Sequence, residues 1–381
     1  MAAYCNGTFK RRMSGAERVL LMLPLNVVMV ARIQGAVDVQ QLAAALDRLR
    51  QRHALLAVRV VRDEHDMAWY VTGDVPAFAI HTEARTTDDQ WQQRAIAEMQ
   101  IPFPIETGPL VRFALLHAPE QADLIICAHH AICDGISLTY LIRDILQQLA
   151  EPDKAMERLP EPPAITRATV PAPPPSPLIA RAFIGLYNAL WARKQARFDT
   201  RDLERLHRVF WEQHQGARLL AWTCPEAETQ ALVARCRAER VTVNTAIWTA
   251  FLAAQHDVQG DSAPYRARAG LAVSTRDKLN VPVGEAFGFY AASLSATLST
   301  EPTGPQPDFW DVARIVHEQI QTSLGKTNLF RSLSADGLAP SLLDSLYFSK
   351  YSLLHSRLSD TLVRQMNWQD THYGYAITNV G

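Results

Sequence analysis

Leu124-Ile125-Ile126-Cys127-Ala128-His129-His130-Ala131-Ile132-Cys133-Asp134-Gly135 is an apolar run closed by two histidines, and after a short gap by Asp134 and Gly135. The run suits a largely buried strand, and Leu138, Leu141, Ile142, Ile145 and Leu149 behind it recur at the spacing of one helical face, over 135–150. Chemistry can sit at the junction. Strand side chains alternate in direction, so one imidazole can face outward while its neighbour points back. A histidine with an unperturbed pKa near ~6.5 is mostly neutral at pH 7 and can take a proton from an attacking hydroxyl or amine. Asp134 stands where an arginine can lock its carboxylate and hold the turn, and Gly135 is read as supplying a backbone angle closed to other residues. Two His, an Asp and a Gly at these offsets arise by chance in about one chain in a thousand of this size. Cys127, His129, His130 and Cys133 also invite a metal reading, but Cys127 and His129 share a direction that His130 does not, and a zinc site needs ligands converging on one point. No metal is expected.

Upstream, Ser14 with Glu17 fits a capping box that starts a helix at Gly15, and Asp38 with Gln41 repeats the device. Leu42, Ala45, Leu46 and Leu49 then form one apolar face of a helix running to about His53, which we read as a structural residue at the helix end. Strands are expected over 26–34, 57–61 and 110–116 as well as 124–128. Downstream, nine prolines fall within the 26 residues 152–177, which predicts a semi-rigid connector rather than core. A single helical stretch is expected from about Leu178 to His214. Its face Ile179, Phe183, Leu186 and Leu190 is flanked by Arg181, Arg193, Lys194 and Arg197. Such a helix can lie on a membrane surface, but the favoured reading packs the apolar side on the protein body, as it does the Trp and Phe residues of 183–211. Helices over 225–240 and 243–255 and strands over 269–274 and 291–298 continue the mixed pattern.

The 381 residues are 48% hydrophobic and 20% charged, an ordinary composition long enough for two domains. Lys and Arg number 38 against 39 Asp and Glu, for a formal net charge of -1, which disfavours nucleic-acid binding. The 5 cysteines lack a C-x-x-C pair and read as reduced thiols of a cytoplasmic protein. The apolar stretch 19–31 is too short to span a bilayer and no cleavage site follows, so neither a transmembrane segment nor a signal peptide is expected. No serine sits in a G-x-S-x-G elbow, and no Walker or dinucleotide glycine loop occurs.

The run H-H-A-I-C-D-G resembles the H-H-x-x-x-D-G signature of the condensation-domain superfamily, which includes nonribosomal peptide condensation domains, polyketide-associated acyltransferases and, more distantly, chloramphenicol acetyltransferase. The likeness extends along most of the chain. It takes in Met13-Ser14-Gly15-Ala16-Glu17-Arg18, Leu46 to His53 with Leu55 and Leu56, Pro109-Leu110-Val111-Arg112, Thr242-Val243-Asn244, Ser274-Thr275-Arg276 and Thr378-Asn379-Val380-Gly381.

The resemblance implies an α/β fold of the α+β type: two chloramphenicol acetyltransferase-like subdomains in a V-shaped pseudo-dimer with mixed sheets, over 1–151 and 178–381, joined by the linker 152–177. His130 would be the catalytic base, Asp134 a structural carboxylate, Arg276 its ion-pair partner, and His129 and Gly135 first-half support. Ser137, Gly288 and Asn379 are assigned to a substrate tunnel. The D-F-G-W-G element of plant-type members is absent, Ala286-Phe287-Gly288-Phe289-Tyr290 lying in the comparable region. The chain ends at the late N-x-G element, so the second subdomain is expected to be C-terminally incomplete.

The function implied is direct acyl transfer, without an acyl-enzyme, from a thioester on coenzyme A or a carrier-protein phosphopantetheine arm to a hydroxyl or amine of a small-molecule or lipid acceptor. No permanently bound cofactor is expected, and the protein is read as a monomer with an acyl or peptidyl carrier protein as candidate partner. Two alternatives stay open: a free-standing peptide condensation protein, and an inactive module that docks carrier proteins.

Overall fold

A computed structural model describes residues 9–259, 265–300, 308–326, 329–366 and 375–380. In chain order the elements are β1 (Lys10–Arg12), α1 (Gly15–Leu21), β2 (Asn26–Gln34), α2 (Val39–Arg52), β3 (Val58–Arg62), β4 (Ala68–Thr72), β5 (Ile80–Ala84), α3 (Gln90–Gln100), β6 (Val111–His117), β7 (Gln121–His129) and α4 (Gly135–Ala150). There follow α5 (Leu178–Ala192), α6 (Thr200–Gln213), α7 (Glu226–Ala238), α8 (Val243–Gln259), β8 (Tyr265–Ser274), β9 (Ala291–Thr300), α9 (Phe309–Lys326), α10 (Pro340–Lys350), α11 (Arg357–Gln365) and β10 (Tyr375–Ile377).

The main sheet runs β2-β7-β6-β5, antiparallel except for the parallel β5–β6 pair, so it is mixed. Its inner strand β7 is almost wholly buried because both faces are covered. Leu124, Ile126 and Ala128 join Leu42, Leu46 and Leu49 of α2 and Leu138, Leu141 and Ile145 of α4 in one core. On the opposite face Ile125 packs with Ala95 of α3. The α1 capping box forms in both directions, Ser14 Oγ accepting from Glu17 N at 3.3 Å and Glu17 Oε2 from Ser14 N at 2.7 Å. Asp38 caps α2 at Gln41 N. A small antiparallel sheet runs β1-β4-β3.

Over the described residues, contacts gather the chain into two compact units that are not continuous in sequence. One takes Met1–Leu220, Arg276–Tyr290 and Phe330–Gln369; the other takes Ala221–Thr275, Ala291–Leu329 and Asp370–Gly381. In the second unit β8 pairs antiparallel with β9 and parallel with β10, over a core that includes Trp248, Leu252, Leu271, Leu294 and Val316.

Three expectations are corrected. The stretch from 178 to 214 is two helices, because Asp199 accepts from Asp202 N at 3.0 Å and caps a new helix, while Gln195 takes φ +48° in the break. Trp191, Phe198 and Trp211 are buried as expected, but Ile179, Phe183, Leu186 and Leu190 of α5 are exposed instead of packing on the body. The proline-rich segment forms neither helix nor strand yet contributes to core, placing Ile165 and Val170 beside Val283, Ala286 and Tyr290.

Candidate active site

β7 carries the histidine pair to the end of the main sheet, where His129 still pairs with Asn26 of β2 and His130 has entered the turn. The two rings sit in different surroundings. His129 is buried, with its ring edge-on to Phe103 at 5.8 Å between centroids, and it borders a cavity of about 40 Å³ together with Leu21, Leu203 and His207. Its Nδ1 accepts from Ala131 N at 3.2 Å, and its remaining donor goes to the Leu21 backbone. Burial first, then the nearby His130 and His207, lowers His129 to about 3, so this ring stays neutral.

His130 is only partly buried, and its ring meets Phe289 edge-on at 5.4 Å. Its Nδ1 lies 3.0 Å from the Cys133 carbonyl oxygen. A carbonyl can only accept, so Nδ1 carries a proton, and in the uncharged ring the lone pair is left on Nε2. The Cys133 carbonyl and the Ala131 amide thus select opposite tautomers for the uncharged forms of the two rings, within one short turn. The Tyr70 hydroxyl steadies that turn from below, donating to the Ala131 carbonyl at 2.6 Å.

Asp134 is the N-cap of α4 and is almost wholly buried. Its Oδ1 accepts from Ser137 N at 2.7 Å, Ser137 Oγ at 2.8 Å and Arg276 Nη2 at 3.1 Å, and its Oδ2 accepts from Tyr290 N at 3.0 Å. Arg276 Nη1 donates in turn to the Ala286 and Gly284 carbonyls at 2.9 and 3.2 Å, and the guanidinium lies over the Tyr290 ring at 4.8 Å. The network ties the segment 276–290 to the turn that carries His130. Arg276 opens a short 3₁₀ turn after β8.

Other expected site residues take different places. Gly135 opens α4 and is not among the positive-φ glycines, so its expected left-handed angle is absent; the Asp134 cap starts the helix instead. Ser137 and Gly288, assigned to a tunnel, are buried inside the bracing network: Ser137 Oγ also contacts the Gly288 carbonyl at 2.7 Å and accepts from Gly288 N at 3.1 Å. Asn379 is exposed and belongs to the other unit. Sequence reasoning missed the Cys133 carbonyl, the Tyr290 amide and the Asp134-x-x-Ser137 cap; only the cap had a local signal. Among the described residues no group of three His, Cys, Asp or Glu could hold a metal ion.

Gly288 has a steric reason to be glycine, since a Cβ there would stand 2.6 Å from Tyr290 Cε2. Tyr290 cannot move away freely, because it is buried and its hydroxyl donates to the Pro163 carbonyl at 2.9 Å. Gly288→Ala is expected to destabilise the fold by about 1–3 kcal/mol, and a urea melt indistinguishable from that of the unchanged protein would refute this packing argument.

Residues 25–164 match the Condensation domain family model, and residues 218–340 match the model for the Phthiocerol/phthiodiolone dimycocerosyl transferase C-terminus. The first matched segment is thus similar to condensation domains, and the second to the C-terminal part of that transferase. The chain is 31% identical over 121 residues to Gramicidin S synthase 2 of Brevibacillus brevis, covering 32% of this chain and 3% of the synthase. It is 34% identical over 120 residues to Tyrocidine synthase 3 of Brevibacillus parabrevis, covering 30% of this chain and 2% of that protein. The chain thus spans only a small part of these relatives. The fold is similar to that of polyketide synthase associated protein 5 from Mycobacterium tuberculosis, with a TM-score of 0.55 at 17% identity over 88% of this chain and 77% of that one. It is equally similar to the first condensation domain of the calcium-dependent antibiotic synthetase, with a TM-score of 0.55 at 15% identity over 97% and 79%.

Proposed function

We propose that this protein transfers an acyl group from a thioester to a hydroxyl or amine, with His130 as general base. The observation that carries the reading is the Nδ1–H to Cys133 carbonyl bond at 3.0 Å, which aims the basic lone pair of a partly exposed ring through Nε2. A thioester is already activated, so the protein has to align two reactants and move one proton. Nε2 takes the proton as the acceptor oxygen or nitrogen attacks the carbonyl carbon. The Cys133 carbonyl then stabilises the imidazolium through Nδ1–H. Collapse of the tetrahedral intermediate breaks the C–S bond, and the proton passes from Nε2 to the departing thiolate, leaving ester or amide and free thiol.

The bracing network supports this reading by its rigidity. Asp134 has both oxygens engaged by the backbone and by Arg276, so it acts on the geometry of the turn and not as a second base. Asp134 and Arg276 are positioning residues.

The match of residues 218–340 to a transferase C-terminus favours an oxygen acceptor, and the match of residues 25–164 to the Condensation domain model favours a carrier-bound donor. A panel of acyl-coenzyme A and acyl-carrier-protein thioesters, each offered alcohols and amines and followed by thiol release and product mass, separates the two. Transfer from at least one donor is expected. No acceptor-dependent thiol release from any of them would favour the inactive docking module.

A further inference from the structure

We propose that the outward face of α5 docks the protein onto an anionic lipid surface. Leu178, Ile179, Phe183, Leu186 and Leu190 are 79%, 72%, 56%, 53% and 40% exposed. At 100° per residue they occupy an arc of roughly 140° on one side of the helix. The other side is fastened: Asn188 donates to the Gly337 carbonyl at 2.8 Å and accepts from Ala339 N at 2.8 Å, and Trp191 Nε1 donates to Ser341 Oγ at 2.9 Å. The helix is held in place with its greasy face turned outward.

Charge decides what that face meets. Arg167, Arg181, Arg193, Lys194 and Arg197 lie in a stretch with no acidic residue between Glu161 and Asp199, in a chain whose formal net charge is -1. Arg181 borders the apolar arc on one edge and Arg193 follows it as the C-cap of α5, whereas Lys194 turns back, its Nζ donating to Ser356 Oγ at 2.9 Å and lying over the Trp191 ring. A second copy of this chain would bring two basic rims together, which is repulsive. Anionic headgroups answer the rim while acyl chains take up the apolar arc, the division of labour of an interfacial helix. Exposure rises toward the N-terminal end of α5, so that end enters the interface first. No helix among the described residues is long and apolar enough to cross a membrane, so the surface is touched and not spanned.

The test is flotation of the full chain with vesicles of phosphatidylcholine alone and of phosphatidylcholine with about 30 mol % phosphatidylglycerol. Binding is expected to the anionic vesicles, weakening as salt is raised. Ile179→Asn with Phe183→Asn should lower the apparent affinity about tenfold for each side chain, and Arg181→Gln with Arg193→Gln and Arg197→Gln about fivefold for each arginine. All five side chains are exposed, so circular dichroism melts of both variants should overlay the unchanged protein. Failure of the unchanged protein to float with anionic vesicles would overturn the proposal, as would undiminished binding by either variant. A dimer in vesicle-free solution that the Ile179→Asn, Phe183→Asn variant dissociates would also overturn it, assigning the face to a subunit interface.

Discussion

His130→Ala is expected to lower acyl transfer by about 10²–10⁴-fold while leaving the fold nearly intact. The ring is partly exposed, its polar contact is one bond to the Cys133 carbonyl, and its aromatic contact is the edge of Phe289. Losing these should cost no more than about 1 kcal/mol. His130→Asn is the sharper variant, because an amide N–H can still donate to the Cys133 carbonyl but offers no basic nitrogen. It should be as slow as the alanine variant. His129→Ala should behave in the opposite way. That ring is buried and bonded to Ala131 N, so its removal leaves an unpaired buried amide at about 1–3 kcal/mol. Thiol-release rates at saturating acceptor, set beside thermal melts, separate the two histidines. A His130→Ala protein that turns over at the unchanged rate would remove the base from the mechanism.

Asp134→Ala is expected to destabilise the protein by about 3–5 kcal/mol, because it strands the Arg276 guanidinium in a site where its side chain is 9% exposed. That is a large share of the ~5–15 kcal/mol by which domains are stable. The alanine also deletes the α4 cap, worth about 0.5–2 kcal/mol by itself. Asp134→Asn should lose less, since an amide oxygen can still accept from Ser137 N, but the charge that answers Arg276 is gone. Removing Arg276 as well should restore part of the loss, and a double-mutant cycle in urea should report a coupling of more than about 1 kcal/mol. Arg276→Lys will not substitute, because one ammonium cannot reach Asp134, Ser137 and the Ala286 carbonyl as the planar fork does. Additive effects in the cycle would show that the pair is not a unit.

Much of this was legible along the chain wherever the deciding contacts are short in sequence. The Ser14 and Asp38 caps, the α4 face and the strand before His129 follow from residues three or four apart or from alternation. The α5–α6 break is also local, set by the Asp199 cap at Asp202 N, but the apolar spacing that runs on across it masks the cap. Gly135 needs no special backbone angle because the adjoining Asp134 already starts the helix.

The pairing of Arg276 with Asp134 joins residues 142 apart; the resemblance implied it, whereas spacing alone could not. No pattern signalled that Tyr290 N would close on the second carboxylate oxygen, or that Ser137 and Gly288 would be sealed into that network. By itself the sequence determined which residues share a face, where helices start and which turn holds two histidines, since these depend on backbone period and near-neighbour hydrogen bonds. Only the tertiary structure decided which faces are covered. Periodicity makes α5 as amphipathic as α4, but the α4 face lies in the core while most of the α5 face meets solvent, because covering a face depends on segments far away in the chain.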